Sequence, residues 1–161
     1  MCLMDEREYQ QRICACAPAL YRTARAILLN EQDCADAVQE AVFQGWLKRS
    51  QLRDPGKFCA WINRITINEC RNLQRRSMKQ RRAVEAGMEA LRQPPPRRVT
   101  ELEAAVSLLP EKYRLPIVLY YAERYTTKEM AQMLDMPEGR LRERLRAARK
   151  MLGRMLKHEG E

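Results

Sequence analysis

Thr126–Leu152, TTKEMAQMLDMPEGRLRERLRAARKML, decides how the rest of the chain is read. Thr126 and Glu129 have the spacing of a capping box, in which each side chain satisfies an orphaned backbone donor at a helix start. Met130, Ala131 and Leu134 supply one apolar face, Asp135 and Met136 break it, and Pro137 suits the first position of a new helix, where its missing N–H costs nothing. Leu141, Leu145, Ala148 and Leu152 then recur at steps of four, three and four, the buried stripe of a second helix. Arg142, Arg146 and Arg149 follow on an adjacent stripe, with Arg140, Glu143 and Arg144 beside them. A helix rich in Arg, Glu and Ala is commonly a solvated face. The arginine excess, the short helix before it and the tight turn together favour a helix-turn-helix whose second helix enters a DNA major groove.

Upstream, Thr100 and Glu103 repeat the capping-box spacing, and Leu102, Val106 and Leu109 form the apolar stripe of the helix they open. Leu109-Pro110 restarts the chain, and EKYRLPIVLYYAERY reads as a helix with Tyr113, Ile117, Val118 and Tyr121 toward the core, Pro116 being tolerated near its start or kinking it. Gly153–Glu161 reads as a fraying tail. Residues 77–99 differ from both flanks: SMKQRR, a weakly helical AVEAGMEALR and then three consecutive prolines, which favour an extended spacer.

The first half is also helical. From Glu8 to Leu29 the positions Ile13, Ala17, Leu20, Ala24 and Ile27 step by four, three, four and three, with Pro18 a point of kinking or restart. Asn30 and Asp33 offer caps for a helix from about Cys34 to Lys48. Its core face is Cys34, Val38, Ala41, Val42 and Gly45; Asp36, Gln39, Glu40, Phe43 and Leu47 fall on the other side. An aromatic and a leucine among acids either dock on another protein or tuck under a loop, and the pattern weighs the two equally. SQLRDPGKF reads as a loop. A helix from about Lys57 to Arg76 places Phe58, Ile62, Ile65 and Leu73 in an apolar arc and Trp61, Arg64, Asn68, Arg71 and Arg75 on a separate stripe closed by Arg76. Trp61 borders the arc, so core packing competes with stacking on a base; the arginines tip the balance toward nucleic acid.

The balance of 30 Lys+Arg against 21 Asp+Glu, a formal charge of +9, favours a polyanionic partner. No apolar run approaches the roughly 20 residues of a membrane span, and MCLMDEREYQ lacks a signal-peptide core, so a cytoplasmic location without membrane insertion is expected. None of Cys2, Cys14, Cys16, Cys34, Cys59 and Cys70 forms a C-x-x-C pair, and the one histidine is His158. The expectation is therefore no metal, reduced thiols, and most cysteines acting as small buried hydrophobes, with a redox role for Cys2 or Cys14 a weaker alternative. Phosphate-binding and metalloprotease motifs are absent, and Asp33, Asp36 and Glu40 have no second cluster for a two-metal site. Neither an enzyme nor a cofactor nor a small-molecule substrate is indicated. The fold class is all-α: two small helical domains, 1–76 and 100–161, joined by a flexible linker at 77–99, the second containing the helix-turn-helix.

Residues 109–152 resemble the C-terminal promoter-binding domain of bacterial RNA polymerase sigma factors, and DAVQEAVFQGW (36–46) with FCAWINRITINECRNLQRR (58–76) resembles the N-terminal conserved domain of the same family. The size and the single spacer are similar to the extracytoplasmic-function group. The resemblance implies that the helix bearing Asp36, Gln39, Glu40, Phe43 and Leu47 binds the clamp helices of the polymerase largest subunit. It implies that Ser50–Lys57 and the Trp61 to Arg76 stripe melt and hold the proximal promoter element, and that the second domain reads the upstream element and meets the polymerase flap. Transcription catalysis then belongs to the polymerase, and control to an anti-sigma factor. Where the family usually has Gly-Thr-Val-Lys-Ser-Arg-Leu, this chain has Gly139-Arg140-Leu141-Arg142-Glu143-Arg144-Leu145, so the upstream sequence preference does not carry over; Glu143 to cytosine, and Arg142 or Arg146 to guanine, are the contacts its chemistry allows. Asn72 likewise stands where aspartate is frequent.

Overall fold

The computed structural model describes residues 3–83 and 100–158, with side chains through Lys79 and from Thr100 to Lys157. Cys2, the 84–99 part of the spacer and the His158 side chain lie outside the described residues. The chain divides into two compact units, Met1–Arg92 and Gln93–Glu161. Among the described residues every regular element is helical.

In the first unit, α1 (Glu6–Ile27) starts at Asp5, whose carboxylate accepts from Glu8 N, and runs through Pro18 without a break. Pro18 is exposed, so the carbonyl it leaves unpaired in the previous turn can be hydrated. α2 (Glu31–Leu47) begins earlier than its apolar pattern suggests because Asn30 alone is the cap, its side chain accepting from Gln32 N and Asp33 N. Two short 3₁₀ turns, Arg49–Gln51 and Pro55–Lys57, shape the loop read from Asp-Pro-Gly. α3 (Phe58–Ala83) continues past Arg76 into the stretch read as spacer: its apolar arc fades there, but no proline or glycine stops it.

These three helices meet over Leu20, Ala24, Ala41, Ile62 and Ile67, all buried. Gly45 is where α2 comes closest to its neighbours. A Cβ there would run into Ile62 Cδ1 and lie 2.6 Å from Tyr9 Oη. Tyr9 is fixed, since its hydroxyl donates to Val42 O and its ring lies 5.2 Å from Trp46 and 5.7 Å from Phe58, edge-on in both cases. Burial pushes the Tyr9 phenol up to about 12. Arg49 closes this corner, stacked 3.8 Å over the Trp46 ring and donating to Trp46 O and Met4 O.

The cysteine expectation holds in part. Cys34 and Cys70 are buried and outside any disulfide, and burial raises the Cys34 thiol to about 11 against the opposing pull of Arg25. Cys14, however, is exposed, and Cys16 and Cys59 are not reduced but joined as a disulfide, their Cα atoms 5.8 Å apart. The sequence gives no hint of this pair because the two lie 43 residues apart and meet only through the packing of α1 on α3. Closing a loop of that length removes about 4 kcal/mol of unfolded-state entropy in the chain-entropy description.

In the second unit, α4 (Glu101–Leu108) and α6 (Thr127–Leu134) both carry the complete capping boxes read from sequence. α5 (Glu111–Ile117) passes into a single wide π-turn over Val118–Ala122, closed by Glu123 N to Val118 O at 3.2 Å. The extra residue in that turn changes the phase of the helix face. Leu119 is buried, and Tyr121, expected in the core, is exposed. Leu102 is exposed as well, because the buried part of α4 starts at Ala105 and the first turn extends beyond it. α7 (Glu138–His158) packs Leu145 and Ala148 against Leu109 and Ile117. The expected frayed tail is helical to His158, since Met155 continues the apolar stripe onto the same core.

Replacing Gly45 by alanine should destabilise the first unit by about 1–3 kcal/mol, because neither the buried Ile62 side chain nor the hydrogen-bonded Tyr9 ring has room to retreat. Urea unfolding of G45A against the wild-type chain measures this; an unchanged midpoint would show that α2 can shift away.

Candidate nucleic-acid interface

The turn between α6 and α7 is built on Asp135. It adopts a left-handed conformation at φ 51°, which a short polar side chain tolerates. The backbone N–H groups of Asp135 and Met136 both close on Ala131 O. Pro137 sits just ahead of the first helical residue of α7, Glu138.

The rotation of α7 about its axis follows from burial of Leu141, Leu145 and Ala148. With that stripe inward, Arg140, Arg142, Glu143, Arg146 and Arg149 are exposed and Arg144 is half-buried. Two of these arginines are held in place. Arg142 Nη2 donates to Glu138 Oε1 at 2.8 Å, and Thr127 Oγ1 donates to the same oxygen at 2.7 Å, so the first turns of α6 and α7 are joined through one carboxylate. The Thr127 hydrogen bond, with the Arg142 and Lys128 charges, holds the Glu138 carboxyl below the usual carboxylate range. Arg149 Nε donates to Tyr121 Oη at 2.7 Å, and its guanidinium lies 5.5 Å from the Tyr120 ring and 5.6 Å from the Tyr121 ring. The tyrosines thus hold Arg149 by one nitrogen and two ring faces.

In the first unit, Arg64, Asn68, Arg75 and Arg76 are exposed on α3, while Arg71 is half-buried. Trp61 is half-buried too, tilted against Phe58 at a centroid distance of 5.9 Å, so only part of its ring is open to a base. On α2, Asp36, Gln39 and Glu40 are exposed, and Phe43 and Leu47 keep 55% and 57% of their surface open. Phe43 therefore does not tuck under a loop of this unit. Gln32 donates to Asp36 and Gln44 to Glu40, which leaves the acids framing Phe43.

Residues 13–81 match the family pattern described as Sigma-70 region 2, and residues 100–152 match that described as Sigma-70, region 4. The chain belongs to the sigma-70 family. It is 30% identical over 156 residues to a protein of Xanthomonas campestris described as a probable RNA polymerase sigma factor, RfaY, covering 89% of this chain and 39% of that one. It is 27% identical over 143 residues to the Mycobacterium tuberculosis ECF RNA polymerase sigma factor SigM, covering 85% of this chain and 71% of that one. Among solved structures, the sigma factor RpoE of Bartonella quintana, crystallised with the anti-sigma factor NepR, superposes with a TM-score of 0.81 at 20% identity over 94% of this chain and 98% of that one. CnrH, in complex with the cytosolic domain of CnrY, gives 0.69 at 24% identity over 96% and 90%. At these identities the two structures establish a shared fold.

In this sigma-70 family member the two conserved regions coincide with the two units, and both basic helices fall within them. Sequence reading missed the residues that position the arginines. The Glu138–Arg142 spacing of four was readable as a helical ion pair. Thr127 was hidden beside the more obvious cap at Thr126. Tyr121 was assigned to the core because the π-turn leaves no mark in the periodicity.

Thr127→Val should remove the principal cause of the depressed Glu138 pKa, so that this carboxylate titrates closer to the ordinary range; a carbon-detected NMR titration follows it. The sign is fixed by linkage: a carboxylate with a lowered folded-state pKa contributes stability that is present above its unfolded pKa and lost as pH falls through the folded one. The valine variant should accordingly lose less stability on acidification than the wild type. An unmoved Glu138 titration would mean that the Arg142 and Lys128 charges set it.

Proposed function

We propose that the chain is a sigma factor of the extracytoplasmic-function type, which joins core RNA polymerase and directs it to specific promoters to start transcription. The observation that carries this reading is the succession of sigma-70 region 2 and region 4 on one chain, each supplying a basic helix, with an unpartnered Phe43–Leu47 patch on α2 of the first. An autonomous helix-turn-helix repressor would need neither the patch nor the second basic helix.

Each surface then has a role. Asp36, Gln39, Glu40, Phe43 and Leu47 dock on the clamp helices of the largest polymerase subunit, with the aromatic and leucine filling apolar ground and the acids meeting basic groups. Trp61, Arg64, Asn68, Arg71, Arg75 and Arg76 hold the melted proximal element: the guanidinium groups pair with phosphates, and the open part of the Trp61 ring offers a base a stacking edge. Arg140, Arg142, Glu143, Arg144, Arg146 and Arg149 on α7 face the upstream duplex. Gly139 supports this docking. A Cβ there would meet nothing within 4 Å, so packing inside the protein does not require glycine, and the bare backbone leaves room for a phosphate strand.

Domain roles follow as 1–76 for polymerase binding and proximal recognition, 77–99 as linker and 100–161 for upstream recognition and the flap. No described helix is long and apolar enough to cross a membrane. We place the protein in the cytoplasm with its polymerase, and assign its control to an anti-sigma factor, the kind of partner present in the Bartonella structure.

Run-off transcription with purified core polymerase on a genomic promoter library tests the proposal. New starts that share two spaced upstream motifs are expected; no new starts, with specific binding by the protein alone, would favour an autonomous regulator. Arg146→Ala should weaken upstream-element binding by about 1–3 kcal/mol if it makes a bidentate base contact. An equal loss on random DNA would reassign it to phosphate. Phe43→Asp should abolish co-purification with core polymerase while leaving the helical circular-dichroism signal and melting temperature unchanged; retained co-purification would remove α2 from the polymerase interface.

A further inference from the structure

We propose that Cys16 and Cys59 form an oxidation-responsive thiol pair, a modification site at which a peroxide writes a covalent bond between α1 and α3. The geometry is that of a pair made to close: the Cα atoms stand 5.8 Å apart, inside the range that disulfides occupy without backbone movement. The two partners differ in the way a sensor requires. Cys59 is exposed, where a small oxidant or reductant reaches it, and Cys16 is 2% exposed beneath it, shielded from side reactions.

The surroundings favour reaction at Cys59. It lies in the first turn of α3, where the helix dipole stabilises a thiolate. Among the described residues the other thiols lack this placement: Cys34 and Cys70 are buried, and Cys14, though exposed, stands outside the pair.

The chemistry balances with hydrogen peroxide as oxidant. The Cys59 thiolate attacks one peroxide oxygen, the S–O bond forms as the O–O bond breaks, and the departing hydroxide takes a proton to leave as water. Cys16 then gives up its proton and attacks the Cys59 sulfur, the S–S bond forms as the S–O bond breaks, and hydroxide and proton leave as a second water. Two thiols are oxidised and one peroxide is reduced to two waters. A reductant thiolate attacking the exposed Cys59 sulfur reverses the change.

The bond encloses the whole of α2 with its Phe43–Leu47 patch, the 49–57 loop and the start of α3. Oxidation therefore makes the unit that carries those surfaces harder to unfold; this rests on the cytoplasmic placement proposed above, where the reduced pair would be the resting state and the disulfide seen here the oxidised one.

The full-length chain, reduced and freed of reductant, is treated with equimolar hydrogen peroxide and, separately, equilibrated in glutathione buffers spanning the cytosolic poise; free thiols are alkylated and linked peptides mapped by mass spectrometry. Expected are the loss of two thiols, a peptide linking residues 16 and 59, a thermal midpoint raised by on the order of 10 °C, and full reversal by dithiothreitol. Cys59→Ser should remove both the link and the shift, and Cys14→Ser should leave both. A link through Cys14, a linkage only between molecules, or over-oxidation of Cys59 without a link would overturn the proposal. So would a 16–59 bond that persists under the most reducing glutathione buffer, since that would make it a permanent staple.

Discussion

Burial of Leu141, Leu145 and Ala148 is the constraint on which the second unit's chemistry depends. A helix with one apolar stripe has a single favourable rotation about its axis, because turning it by one residue position would trade buried leucines for buried guanidinium groups. The arginines are outward because the leucines are inward. The core around α7 reinforces this: Leu109, just past the end of α4, and Ile117 from α5 pack on it, and Met155 farther along α7 extends the stripe. The charged face is thus set by apolar contacts, which salt does not screen, while the duplex proposed to meet it would be bound by forces that salt does.

The first unit solves the same problem with closer packing. α2 leaves Phe43 and Leu47 exposed while contributing enough core to stay folded, and a seventeen-residue helix has little surface to divide. Gly45 and the small residues Ala37 and Ala41 let it approach its neighbours, so that the core side is made of backbone proximity rather than large side chains. The aromatic contacts of Tyr9, Trp46, Phe58 and Trp61 then fix the corner where the 49–57 loop leaves. Trp61 belongs to both worlds, half in this cluster and half on the basic stripe.

Much of this was legible because local rules and periodicity agree. Both capping boxes and the buried leucine stripe follow from spacing alone, and the family resemblance rests on the same residues; spacing put Phe43 opposite the core face of α2 but left open whether a loop covered it. What was not legible needed information that spacing does not carry. The π-turn at Val118–Ala122 adds one residue to a turn and moves Tyr121 from core to surface. The meeting of Cys16 and Cys59 depends on how two helices pack across 43 residues. The ends of α3 and α7 were set too short, because fading or glycine-interrupted apolar patterns were read as helix ends where tertiary contact or plain helix propensity continued them.

The two anchored arginines on α7 are held by interactions of different kinds, and this bears on what each can do. The Arg142–Glu138 pair is solvent-exposed, with side-chain exposures of 67% and 37%. Such exposed pairs contribute little, so in the proposed docking a guanine edge offering two acceptors can take Arg142 from Glu138 at small cost. Glu138 stays behind, still bonded to Thr127, as a negative charge that disfavours phosphate nearby and so penalises sliding α7 out of register. Arg149 is different. Its Nε is engaged by Tyr121 and its face by two rings, contacts that leave the terminal nitrogens able to meet a phosphate without giving anything up. In the proposed docking, the exchangeable arginine near the start of the helix would discriminate between bases, and the fixed one farther along would set the position from which it does so.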